Sequence, residues 1–205
     1  MKLYTKVLLY SFIISCTNSN QEKSEKEIQK AKLASLEEKG RNSKIILDTV
    51  LLGYSFEMTE NQVLSHTRKL IRQKKLKVDY SNQPYFEIEG KSGMKYEGFI
   101  TAKYFDNKLY SLGLNFKNEY SPIIVFSELS EIYATKYGNS DLIIKPISDM
   151  DIYERYWFSN NLKIKIKSGI LSAYLEYVDL RYEYKKIEKD SIDSKKKENK
   201  LKEII

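Results

Sequence analysis

Few residues in this 205-residue chain are of the types that do chemistry, and their spacing argues against most reactions. His66 is the single histidine. It therefore has no second imidazole for a multi-histidine metal site, and no nucleophile with an orienting acid stands near it in the sequence. It falls mid-helix at the edge of an apolar stripe, where a hydrogen-bonded or exposed histidine is the expected reading. Glu87, Glu89 and Glu97 would meet across a hairpin. Acid–base work needs a cleft and shifted pKa values, whereas glutamates alternating along a strand predict a wet sheet face. Gly90-Lys91-Ser92-Gly93 resembles the end of a phosphate loop, but it lacks the upstream glycine and the following helix, so a hairpin turn is predicted. Cys16 is the only cysteine, which rules out an internal disulfide and a cysteine metal cluster. No catalytic residue, metal ligand or cofactor is expected.

Cys16 stands at the end of a distinctive segment. Lys2 and Lys6 supply positive charge, Val7 to Ile14 form a short apolar run, and small Ser15 precedes the cysteine. The run falls short of the roughly 20 apolar residues that span a bilayer as a helix, so residues 1–15 read as a cleaved signal. Ile13-Ile14-Ser15-Cys16 resembles a lipobox, with Ile13 where leucine is commonest and Ile14 where a small residue is commonest. The resemblance implies a diacylglyceryl thioether on Cys16 and a chain anchored by two or more acyl groups, each buried methylene adding about 0.8 kcal/mol. The expected address is the cell envelope, with the outer membrane favoured over the inner. Residues 16–44, rich in Lys, Glu, Ser and Asn, are expected to be a flexible or weakly helical tether.

Order is expected over 45–180. Thr59 and Gln62 predict a capping box, and Met58 and Val63 a hydrophobic staple. Val63, Thr67, Leu70 and Ile71 share a helix face. Arg68, Lys69, Arg72, Lys74 and Lys75 suit the negative end of that helix. Strands are predicted at 76–80, 85–89, 96–105 and 109–116. In the last of these, Tyr110, Leu112, Leu114 and Phe116 alternate with small or polar residues. The order then recurs. Pro122 to Phe126 leads into a helix capped by Ser127 and stopped by Gly138, followed by strands at 142–145, 152–158, 162–167 and 170–178. The predicted class is α+β: two tandem units, 53–117 and 122–180, each of one helix and a roughly four-stranded antiparallel sheet. Residues 181–205 are expected to be a charged tail.

The net charge is +7. With no helix-turn-helix, zinc finger or arginine-rich helix, nucleic acid is not an expected partner. Lys163, Lys165 and Lys167 alternate with Leu162, Ile164 and Ile166, which predicts one apolar face and one solvated, aggregation-blocking face. Tyr153, Tyr156, Trp157 and Phe158 are candidate partner contacts, since tyrosine and tryptophan dominate interface hot spots. Alternation along a strand would instead bury half of them.

The phrase Phe56-Glu57-Met58-Thr59-Glu60-Asn61-Gln62-Val63 resembles the opening of small lipoprotein domains of the SmpA/OmlA (BamE-like) type. Glu57 stands where that family has glycine. The tandem helix-plus-sheet order is similar to the β-lactamase inhibitor protein fold. The same phrase, with Tyr133 to Gly138 and Tyr156 to Ile164, also resembles uncharacterised lipoproteins of Bacteroidota. These resemblances imply a scaffold at a membrane and a non-enzymatic binding or assembly role with an envelope protein as partner. The alternative expectation is a ligand- or sugar-binding module, or a hydrolase, using carboxylates and tyrosines.

Overall fold

A computed structural model describes residues 25–117, 120–145 and 152–204, the last seven by backbone alone. The described strands are β1 (Lys77–Val78), β2 (Pro84–Glu89), β3 (Lys95–Phe105), β4 (Lys108–Lys117), β5 (Leu142–Ile144), β6 (Glu154–Ser159), β7 (Leu162–Ser168) and β8 (Ser172–Asp179). They form one open sheet in the order β1-β2-β3-β4-β8-β7-β6-β5, with every pairing antiparallel. Helix α1 covers 25–41, α2 Glu60–Arg72, α3 Pro122–Tyr137 and α4 Leu180–Ile204.

The class is thus α+β, but the strands do not form two successive sheets. Strands β4 and β8 pair over seven residues, from Ser111 opposite Val178 to Lys117 opposite Ser172. A four-stranded meander ending at β4 would leave a row of backbone donors and acceptors unpaired along an apolar strand. Pairing with β8 satisfies that row and makes the core continuous.

The core lies on one face. Leu114, Phe116, Ile164, Ile166, Ala173, Leu175 and Tyr177 point to it from three central strands, β4, β7 and β8, and Val125, Phe126, Leu129 and Tyr133 of α3 cover them. Helix α2 covers the adjoining part with Val63 and Leu70, packed with Tyr54, Leu76, Leu109 and Leu112. The capping box forms: Thr59 Oγ1 accepts from the Gln62 amide and Gln62 Oε1 from the Thr59 amide. Helix α3 begins earlier than predicted. Pro122 occupies its first turn and Ser121 its N-cap, so Ser127 lies inside the helix. Proline is tolerated at that position because the first-turn amide has no helical acceptor. The apolar run after it is helical because Val125 and Phe126 reach the sheet.

Both ends of the chain are helical where described, and both dock on the protein. Residues 25–41 of the predicted tether are helical, and Leu33, Leu36 and Gly40 face the protein at helical spacing. The predicted tail is helical too. Asp179 caps α4 by accepting from the Arg181 amide at 3.0 Å, and Lys186 pairs with Asp190 one turn on. The opening turns of α4 dock on the sheet: Leu180 is buried, Tyr182 donates to Glu57 and Lys189 pairs with Asp106. Polar composition hides both helices because each needs only one short stripe of contacts.

Candidate functional site

The face opposite the core is divided. Towards the β6–β7 turn it is covered by α1 and the start of α4. Lys163, which projects from this face, is only 7% exposed. Its ammonium donates to Glu37 of α1 at 2.8 Å and to Glu183 of α4 at 2.7 Å. Burial works against its charged form, but the two carboxylates outweigh this and hold its pKa above the usual lysine value. Of the three lysines predicted to be solvated, Lys163 is therefore a buried ion-pair centre, and Lys165 and Lys167 are half-buried. Leu162, Ile164 and Ile166 face the core as predicted.

The rest of this face carries no helix among the described residues. Strand register places Tyr85, Phe99, Asn115, Tyr174, Lys167 and Glu154 in one row across six strands. Tyr174, Glu97, Thr101, Lys103 and Lys117 are exposed. The Tyr85 and Phe99 rings lie 5.7 Å apart, and the Lys117 ammonium sits 4.5 Å over the Phe99 ring. Beside the row, Gly113 keeps the surface low, since a Cβ there would meet Thr101 Oγ1 at 2.7 Å and the Leu175 carbonyl at 3.2 Å. Asn115 Oδ1 is buried without a hydrogen-bond partner.

Charges on this face alternate in sign and are mostly paired. Glu87 binds Lys77 and Lys95, Glu176 binds Lys103, and Glu154 binds Lys167. Burial raises the pKa of Glu176 and hydrogen bonds from Lys103 and Ser111 lower it, with a net fall. Glu154 shows the same balance, with Tyr156 as its first hydrogen-bond donor. Both carboxylates are thus held ionised, whereas a general acid needs its pKa raised.

The predicted contact residues turn mostly inward. Tyr156 and Trp157 are each 4% exposed and so are not available as surface contacts. The Trp157 indole donates to the Gly138 carbonyl, and the Tyr156 hydroxyl donates to Glu154. Tyr153 and Phe158 are half-buried, and Tyr153 packs against the core. The aromatic side chains of the open face lie instead on β2, β3 and β8, where Tyr174 is exposed, Tyr85 half-buried and Phe99 buried beside them, and all three were read only as strand residues. Their common row depends on β4 pairing with β8, which no local pattern encodes.

The other candidates are structural. His66 Nε2 lies 3.0 Å from the Leu52 carbonyl, and its ring meets Tyr54 edge-on. Gly90 to Gly93 form the predicted turn, closed by a Gly93-to-Gly90 backbone bond, and Glu128 accepts from the Lys91 amide. Glu87 stands opposite Glu97 across the β2–β3 pair, on the wet face. A cavity of about 270 Å³ beside β6 is lined by Tyr137, Trp157, Leu162 and Ile164, with Asp141 its one lining carboxylate among the described residues. No group of three or more metal-ligating side chains occurs among the described residues.

Residues 1–15 and Cys16 lie outside the described residues. No described helix is long and apolar enough to cross a membrane. No family model, curated protein or solved structure matches the chain.

Proposed function

We propose that this chain is a lipid-anchored protein of the bacterial envelope, held through Cys16, whose uncovered sheet face binds another protein without catalysing a reaction. The observation that carries the binding role is the row Tyr85, Phe99, Asn115 and Tyr174 on a sheet face left open between paired lysines and glutamates. Tyrosines on a rigid sheet offer large contact area at small entropic cost, and an unpaired amide oxygen among them gains a donor when a partner arrives. The alternating, nearly balanced charges suit a polypeptide partner of mixed charge.

The anchor reading rests on the sequence from Lys2 to Cys16. Residue 25 is helical, so eight residues, 17–24, separate it from the anchor, spanning at most ~30 Å when extended. The partner therefore lies near the same membrane. The two runs of one helix and four strands, α2 with β1–β4 and α3 with β5–β8, support a tandem repeat of the kind seen in the β-lactamase inhibitor protein fold.

A photo-crosslinking residue placed at Tyr174 in native cells tests the binding role, with one at Glu188 of α4 as control. One envelope protein captured from the first position and not from the second is expected. The same background set from both positions rejects the role. Membrane fractionation of Cys16→Ala tests the anchor separately, and unchanged retention rejects it.

A further inference from the structure

Helix α2 and the turn after it carry a concentration of positive charge that the core does not use. Between Glu60 and Asp79 the chain has no acidic residue. Arg68, Lys69, Arg72, Lys74 and Lys75 are all exposed, and none has an ion-pair partner among the described residues. Most exposed lysines on the sheet are paired. Leu64, Arg68 and Arg72 follow one another along the solvent side of α2, away from buried Val63, Thr67 and Leu70. Leu64 is 48% exposed, Val78 44%, and Tyr80 stands fully in solvent. A helix dipole explains basic residues in the last turn, here Lys69 and Arg72. It also favours Arg68, Lys74 and Lys75 nearby, but it does not explain the exposed apolar side chains that accompany them.

We propose that this surface is a second membrane contact: α2, the turn after it and the β1–β2 turn rest on an anionic bilayer, cations on the headgroups and Leu64 and Tyr80 in the interface. Lysine and arginine near an anionic leaflet each add to binding, and tyrosine partitions to the headgroup level. The proposal takes its nearby bilayer from the lipid-anchor reading above. A chain held at one point can tumble about it, and a second weak contact fixes which way the open sheet face looks.

The test uses the full chain carrying Leu64→Trp on vesicles with brominated acyl chains. Trp157, the one native tryptophan, is buried and sets the background. On vesicles of equal parts phosphatidylcholine and phosphatidylglycerol, the fluorescence of the introduced tryptophan is expected to be quenched. On phosphatidylcholine alone, or with high salt, it is expected to persist. The triple substitution Arg68→Gln, Arg72→Gln, Lys75→Gln weakens the contact roughly a hundred-fold and restores fluorescence, the three charges being on the order of fivefold each. Absence of quenching while the chain sediments with the vesicles overturns the proposal and leaves the anchor standing. Equal quenching on both vesicles also overturns it. So does protection of the introduced tryptophan by an acidic polypeptide or an oligonucleotide without lipid quenching. A failed anchor reads differently, as chain left in the supernatant.

Discussion

The side-chain amide of Asn161 holds both backbone polar groups of Leu47: Oδ1 accepts from the Leu47 amide at 2.6 Å and Nδ2 donates to its carbonyl at 3.0 Å. Asn161 is fully buried in the β6–β7 turn, so a side chain does here what a neighbouring strand does elsewhere. The pair ties the segment leading to the first core residues onto the second half of the sheet, 114 positions away. Asn161→Leu leaves two backbone groups unsatisfied and is expected to cost about 2–4 kcal/mol in urea unfolding. Limited proteolysis should then cut first between α1 and Thr49. An unchanged midpoint would show that Leu47 finds other partners.

Gly40 is the close approach of α1 to the sheet. A Cβ there would meet Leu180 Cδ1 at 2.4 Å and the Asn160 carbonyl at 2.7 Å. The side chain can yield, but the carbonyl cannot. Gly40→Ala is expected to lose about 1–3 kcal/mol despite alanine's better helix propensity. Hydrogen exchange across 33–41 should speed up while exchange in β4 stays slow. Equal protection in both variants would mean that α1 docks without this contact.

Tyr133 of α3 and Tyr177 of β8 share a hydrogen bond between buried hydroxyls. Burial pushes the pKa of both upward, so both stay neutral. Tyr133→Phe alone strands the Tyr177 hydroxyl and is expected to cost about 1–3 kcal/mol. The double substitution with Tyr177→Phe should recover most of that loss, because neither hydroxyl then remains. Additive losses in the cycle would refute the pairing.

Acid should weaken the fold through Glu154 and Glu176. Their folded pKa values lie below the ordinary carboxylate value. The stability they contribute is therefore fully present above about pH 4.3, the unfolded glutamate value, and is lost as pH falls through their lower folded values. Urea midpoints at about pH 6 and about pH 3 should differ more for the parent chain than for Glu176→Gln, which has no titrating group at that position. An identical drop in both chains would assign the acid sensitivity elsewhere.

Much of the fold is legible locally. The capping box at Thr59, the alternation in β4 and β7, and the turns at Asp106-Asn107 and Asn160-Asn161 all declare themselves within a few residues. What stays hidden is non-local. Helices α1 and α4 look solvent-bound because many of their contacts, Glu37 and Glu183 on Lys163 and Arg41 on the Tyr184 ring among them, are polar. Charge pairs leave no hydrophobic periodicity to read. The candidate surface was legible only as residue types: tyrosines on strands are visible in the sequence, but which of them share a row is set by the join between β4 and β8. Trp157, conspicuous by type, is consumed by the core, and Tyr156 is buried on the opposite face beside Glu154.

That join has a temporal side. Strand β4 is complete at Lys117, yet its second neighbour ends at Asp179, about sixty residues later. At roughly 5–20 residues per second, the ribosome takes on the order of 3–12 s to make that stretch. During that interval the apolar strand β4 has one unpaired edge. A half-made chain is therefore a sticky one, and whatever receives it must either keep it extended or shield Leu112, Leu114 and Phe116 until β8 arrives.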